Sequence, residues 1–230
     1  MSDEIGIKTL RRMEKAVFYN RWLVLRVKNY LNGDILEIGC GIGNMTELLA
    51  KYGKVTATDI DKYYINRTKK RMKKLASVGY GDAETGKFFF SDKKFDTVIN
   101  FNVLEHIEND EKAIVNMRNR LRKGGRLVVV TPAHPTLFGS LDANLGHYRR
   151  YSKAEIIKKF ENAGLVVRET RYLNWLGAVG WFVNARVLRR KILPAKQLSL
   201  YVIFSTPFLF LEKFISLPFG LSVLVVGEKP

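Results

Sequence analysis

Cysteine is almost missing from this chain: Cys40 stands alone among 230 residues. A single thiol excludes an internal disulfide framework and any thiolate metal cluster built within the chain, and the expected setting is cytoplasmic. No internal repeat and no Pro/Gly/Ser-rich linker breaks the sequence, so one domain over residues 1–230 is expected. The first ten residues carry acidic Asp3 and Glu4 and no apolar signal core, so nothing there directs secretion. Two stretches without a charge toward the end of the chain, 172–185 and 197–211, both fall short of the roughly 20 apolar residues that cross a bilayer, and Pro207 interrupts the second. Negative charge is also in short supply. Asp and Glu number 22 against 39 Lys and Arg, and the resulting +17 predicts an anionic partner without choosing among RNA, a membrane surface and an acidic small molecule.

What is present is alternation. Apolar runs at 34–38, 54–58, 77–81, 95–101 and 126–131 read as strands, with two more at 165–172 and 221–229. Between them 44–52, 62–75, 109–122 and 153–163 read as helices, each closed by glycine or another turn signal. Strands alternating with helices build an α/β fold around a mostly parallel sheet with helices on both faces. Residues 1–32 form an expected helical cap over the sheet edge or a ligand. Residues 172–220 form an apolar insertion, split by the basic cluster Arg186, Arg189, Arg190, Lys191 and Lys196. As core it would pack on the sheet. As an interface it would meet lipid through Trp175, Trp181, Phe182, Phe204, Phe208 and Phe210, with the basic cluster at the headgroups.

The first strand runs into Glu37-Ile38-Gly39-Cys40-Gly41-Ile42-Gly43-Asn44. Glycines at alternate positions after a strand let the chain turn sharply and admit a ligand to its backbone. The dinucleotide fingerprint needs its third glycine at position 44, which is asparagine, so nicotinamide binding recedes. The second strand ends in Thr58-Asp59-Ile60-Asp61, roughly 20 residues beyond the turn, where a carboxylate can accept both hydroxyls of an adenosine ribose. Asp59 is the expected ribose ligand and Asp61 the expected cap of the next helix. The third strand closes with Gly81-Asp82-Ala83, where Asp82 either accepts from an adenine amino group or serves its own turn.

Together Glu37–Gly43, Asp59, Gly81-Asp82-Ala83, 100–107 and 121–132 resemble a class I S-adenosylmethionine-dependent methyltransferase, a likeness covering most of 12–172. It implies a Rossmann-like sheet of seven strands with the last antiparallel, S-adenosylmethionine as cofactor, and cofactor contacts at Glu37, Gly39, Gly41, Asp59, Ile60, Asp82, Ala83 and Asn100. Val103-Leu104-Glu105-His106-Ile107 and Gly146-His147-Tyr148-Arg149-Arg150-Tyr151-Ser152 further resemble small-molecule and lipid-type members.

In parallel α/β sheets ligands bind beyond the carboxyl ends of the strands. All three histidines of the chain, His106, His134 and His147, fall there, and histidine suits proton removal near neutrality. His147, then His134, is the expected base for a protic acceptor, with Asp142 or Tyr148 orienting base or substrate. His106 is expected to pack behind the cofactor. No metal is expected, since Asn102 stands where related metal enzymes carry a further glutamate. The expected reaction is methyl transfer to an O or N atom of a small or amphipathic acceptor, lipid-linked molecules included, at the inner face of a membrane if 172–220 touches it. The alternatives are an RNA or protein methyltransferase and a non-catalytic cofactor-binding subunit.

Overall fold

The computed structural model describes residues 2–192, 194–212 and 217–230. Helices α1 (Ser2–Lys15) and α2 (Val17–Val27) precede strand β1 (Asp34–Ile38), followed by α3 (Thr46–Leu49), β2 (Lys54–Asp59), α4 (Lys62–Met72) and β3 (Ala76–Asp82). A short β4 (Lys87–Phe88) leads to β5 (Phe95–Phe101), α5 (Asp110–Asn119) and β6 (Leu121–Pro132). The last part holds α6 (Ser140–Leu145), α7 (Lys153–Asn162), β7 (Val166–Leu173), α8 (Trp175–Phe182), α9 (Ala195–Leu211) and β8 (Ser222–Glu228).

The strands form one sheet in the order β4-β3-β2-β1-β5-β6-β8-β7. Neighbours from β3 to β6 pair parallel, whereas β8 enters antiparallel between β6 and β7. The terminal strand is therefore antiparallel as expected, but the sheet has eight strands. The extra one, β4, pairs two residues with the end of β3, too short a run to carry an alternating pattern.

Period-two alternation sorts the strand residues onto two cores. Ile35, Val128 and Val130 face one side with Trp22, Leu23 and Val27 of α2 and Met72 of α4. Leu36, Leu127 and Val129 face the other with Ile114 and Met117 of α5 and Phe160 of α7. Parallel strands covered on both faces leave their carboxyl ends as the accessible edge, and the turns after β1, β2, β5 and β6 gather there. Segment 172–220 resolves into α8, a π-helical turn over Val183–Val187 and α9. It packs partly as core: Trp22 donates to the carbonyl of buried Leu209. The side chains of Lys196 and Phe204 lie outside the described residues. No described helix is long and apolar enough to cross a membrane.

Candidate active site

The glycine turn after β1 is built on backbone conformations that L side chains rarely adopt, with φ of 73° at Gly39 and 52° at Gly41. The amides of Gly39 and Cys40 both donate to the carbonyl of Thr58 at 2.8 and 2.9 Å, which pins the turn to the end of β2. Gly39 also has no room for a side chain: a Cβ there would lie 2.4 Å from Val103 Cγ2. The sequence reading held this position open for a ligand, and the structure gives it to the turn after β5. Helix α1 crosses the same turn, with the Leu10 side chain against Gly41 and the Leu10 carbonyl accepting from Asn44 Nδ2 at 3.0 Å. The expected N-terminal cap thus lies over the glycines.

Asp59 ends β2 with its carboxylate buried. Its Oδ2 accepts from the Gly41 amide at 2.8 Å and its Oδ1 from the Asp61 amide at 3.0 Å. A carboxylate offers about four acceptor positions, so two remain for a diol. Burial raises the Asp59 carboxyl, and the two amides work against that rise. Asp61 caps α4 through the amides of Tyr63 and Tyr64, which leaves Asp59 free of capping. Beside it Ile60 is 68% exposed, an apolar surface on which a flat ring can lie. Asp82 behaves differently: it accepts from the Glu84 and Thr85 amides and from the Thr85 hydroxyl, so its own turn engages both oxygens. Ala83 is buried against α5. Asn100 is fully buried within β5, its Nδ2 directed at Met117 Sδ and its Oδ1 without a partner. The residue at the mouth of that strand is Asn102, in a left-handed conformation with φ of 53°.

Glu37 accepts from the Thr46 hydroxyl at 2.6 Å, and burial, with Asp59 nearby, lifts its carboxyl from 4.5 to about 7. An acid raised in the fold binds its proton more tightly there than in the unfolded chain. Its contribution to stability is therefore full below pH 4.5 and declines as pH rises through about 7. Glu37→Gln keeps an acceptor for Thr46 without the buried charge. Its melting temperature is expected to match the parent near pH 4.5 and exceed it by several degrees at pH 8, a gain on the order of 3 kcal/mol or less. Scanning fluorimetry across that range checks the trend.

The acceptor side is organised by α6. Gly146 ends that helix in the left-handed conformation and turns the chain so that His147 folds back on it. Asp142 is completely buried and accepts four hydrogen bonds: from the Gly139 amide (3.0 Å), His147 Nδ1 (2.9 Å), Arg150 Nε (2.7 Å) and Trp181 Nε1 (3.1 Å). Burial alone would push its carboxyl up, but His147 and Arg150 outweigh it and hold the group below the usual carboxylate range. An ionised Asp142 can only accept, so in the neutral imidazole the His147 proton sits on Nδ1 and the lone pair on Nε2. Nε2 lies 4.0 Å from Glu105 Oε1. Glu105 is itself fully buried, its Oε2 accepting from Thr131 Oγ1 at 3.1 Å and its Oε1 unpartnered. Burial raises its carboxyl to about 6. The Tyr148 amide donates to the Glu105 carbonyl at 2.8 Å, tying the two loops together.

Two expected acceptor-side residues thus meet, His147 and Asp142, while the others stand apart. Tyr148 turns its ring outward beneath Arg149. His134 stacks on Tyr172 at 4.5 Å between centroids, and its Nε2 accepts from the Gly220 amide at 3.4 Å. His106 packs edge-on against His147 at 4.7 Å, and burial first, then His147, lowers it to about 4, so it is neutral near pH 7. Donor atoms of Glu105, His106 and His147 lie within 4.8 Å of one another, without the further glutamate that the sequence reading looked for. Glu105 and Arg150 had no assigned role in the sequence, and Trp181, expected among the lipid-facing aromatics, instead donates to Asp142. The orphaned Glu105 oxygen had a signal, an acidic residue directly after a buried strand, whereas Trp181 lies 39 residues from the carboxylate it meets.

The family described as Methyltransferase domain matches residues 36–129, the stretch from β1 to β6 that carries the glycine turn and Asp59. A Mycolicibacterium smegmatis protein named Probable S-adenosylmethionine-dependent methyltransferase is 29% identical over 140 residues, covering 60% of this chain and 53% of that protein. Residues 36–129 are a methyltransferase domain, and the relatives that match this region make it an S-adenosylmethionine-dependent one of class I. The ubiquinone biosynthesis O-methyltransferase of Rickettsia bellii is 26% identical over 175 residues, covering 66% of this chain and 71% of that enzyme. A geranyl diphosphate methyltransferase solved with S-adenosylmethionine shares the fold at a TM-score of 0.66 and 13% identity, over 91% of this chain and 85% of that one. The matched region spans about half the length of the mycobacterial relatives.

The cofactor of this family is S-adenosylmethionine, and the residues present fit it. An Asp59 carboxylate with spare acceptor positions suits the ribose diol, and the exposed Ile60 side chain suits the adenine face; in the glycine turn Gly39 is part-exposed, while Gly41 lies buried against Leu10 of α1.

Proposed function

We propose that this methyltransferase domain transfers a methyl group to an oxygen or nitrogen atom of a small or amphipathic acceptor, lipid-linked molecules included. The observation that carries the reading is the gap between His147 Nε2 and Glu105 Oε1. His147 Nε2 faces the unpartnered Glu105 Oε1 at 4.0 Å, a spacing at which an amine nitrogen donates to both and a hydroxyl donates to one of them. A hydroxyl or amine held there keeps a lone pair for attack and a proton for His147. S-adenosylmethionine, when bound, supplies an electrophilic methyl carbon and a thioether leaving group.

The contribution of the protein is alignment and proton removal. The proton leaves the acceptor for Nε2, and Asp142, at 2.9 Å from Nδ1, steadies the imidazolium that forms. Arg150 and Trp181 hold Asp142 in register from the other side. His134, stacked on Tyr172, and the exposed Tyr148 bear on the acceptor along its path into the site. Glu37, Gly39, Gly41, Asp59 and Ile60 are the cofactor contacts of this reading. Asp82, Ala83 and Asn100 contribute backbone and support, since their side chains are spent or buried.

An amphipathic acceptor agrees with the relatives, whose names carry a quinone and an isoprenoid diphosphate. It agrees also with the apolar segment 172–220, whose Trp181 reaches Asp142. Peripheral contact of that segment with the inner face of a membrane belongs to the same reading. The test is a labelled-methyl screen of lipid, small-molecule, protein and RNA fractions. Label is expected in the lipid or small-molecule fraction. Label confined to RNA or protein, or to no fraction, contradicts the reading.

A further inference from the structure

Helix α8 and the π-helical turn after it bury their small and polar residues and expose their large apolar ones. Gly177, Ala178, Asn184 and Ala185 face the protein, while Val179, Phe182, Val183, Val187 and Leu188 face out, with Val187 62% exposed. The spacing 179, 182, 183, 187 traces one side of a helix, so the exposed residues form a stripe. The stripe has a neighbour. Trp175 stands edge-on to Phe208 and Phe219, at 5.7 and 6.4 Å between centroids, and both phenylalanines are themselves exposed.

The charge at the far end of the stripe has one sign, while at the Trp175 end the Glu212 carboxylate is engaged by the Asn174 and Trp175 amides. No acidic residue occurs between Glu169 and Glu212, while Arg186, Arg189 and Lys191 are exposed at the end of the stripe. We infer that this face docks on an anionic phospholipid bilayer, the apolar stripe entering the headgroup region and the three basic side chains meeting lipid phosphates. A second copy of the chain fits poorly, since apposing two such faces would bring two basic clusters together. The inference rests on the proposed function for its purpose, delivery of an amphipathic acceptor, though vesicle binding itself needs no methyl transfer. Delivery has a structural route. The docking helix carries Trp181, which donates to Asp142, and the Ser140 hydroxyl of α6 donates to the carbonyls of Ala185 and Arg190 at the end of the stripe. A molecule leaving the bilayer there would meet the His147 loop within one layer of side chains.

The experiment is co-sedimentation of the full chain with vesicles of phosphatidylcholine alone or with about a third phosphatidylglycerol, over a salt series. Binding is expected on the anionic vesicles, at least tenfold stronger than on neutral ones and weakening as salt rises. Val187→Asp/Leu188→Asp should lower partitioning at least tenfold. Arg189→Glu/Lys191→Glu should abolish the preference for anionic lipid. Both pairs are exposed, and an unchanged melting temperature and unchanged S-adenosylmethionine affinity establish that the variants are folded. No binding of the parent to anionic vesicles overturns the inference, as does equal binding by the variants or a parent dimer that Val187→Asp dissociates. Vesicle binding without methyl transfer in the labelled screen would leave the inference standing and remove the proposed reaction.

Discussion

Replacing His147 with alanine is expected to lower the rate of methyl transfer by about 10²–10⁴-fold, the usual contribution of a positioned general base. The affinity for S-adenosylmethionine should stay within about a factor of two, because His147 lies with α6 and Glu105 and not with Gly41 or Asp59. Asp142→Asn should lose nearly as much rate. An amide in place of the carboxylate presents its NH2 to two of the four donors, and it leaves the Arg150 guanidinium buried without its counter-ion. Unlike His147→Ala, it should therefore also lower the melting temperature, and the two measurements together separate base from scaffold. The pH profile adds a second signature. Glu105, raised to about 6 by burial, is protonated below that value and can then donate to His147 Nε2, closing the gap meant for the acceptor. Activity should fall as pH drops through about 6, and Glu105→Gln should remove that limb while lowering the plateau. A profile unchanged by Glu105→Gln would take Glu105 out of the site.

The second large effect belongs to Asp59. Asp59→Ala is expected to weaken S-adenosylmethionine binding by about 100-fold or more. Two charge-assisted hydrogen bonds to the ribose are lost, each worth roughly 1.5–3 kcal/mol. The Gly41 and Asp61 amides lose the carboxylate that fixes the turn as well. Asp59→Asn keeps one accepting oxygen and should fall between the two. Asp61→Ala serves as the control: it removes the cap of α4, costing about 1 kcal/mol of stability, with affinity little changed. Calorimetric titration of the three variants and a melting curve for each check the division of labour between the two aspartates.

That division was legible in the sequence because helix capping has a fixed geometry. An aspartate directly before the first helical residue takes the cap, which frees the one two positions earlier. Strands β1 and β5 matched their expected limits, since each is an apolar run buried on both faces and bounded by polar residues. Strand β6 began at Leu121, five residues before its apolar run, because Leu121 already pairs with Phe95 and Gly124, at φ 74°, forms an irregularity inside the strand instead of closing the preceding helix. Helix α3 shrank to four residues, since Gly43 to Met45 belong to the turn. On the acceptor side, residue type and strand-end position pointed to three histidines, but only the tertiary arrangement separates their environments. His134 turns toward Tyr172 and Gly220 because antiparallel β8 inserts beside β6, and nothing local to His134 announces that. Likewise the Asp142 network draws on residues 139, 147, 150 and 181, and the last arrives from an insertion whose packing no periodicity specifies.

Isothermal titration of the purified chain with S-adenosylmethionine tests the central claim most directly. One site per chain is expected, with the parent saturating at micromolar ligand and Asp59→Ala requiring about 100-fold more. A folded parent that gives no binding heat at millimolar ligand, or that binds equally well without the Asp59 carboxylate, would contradict the account.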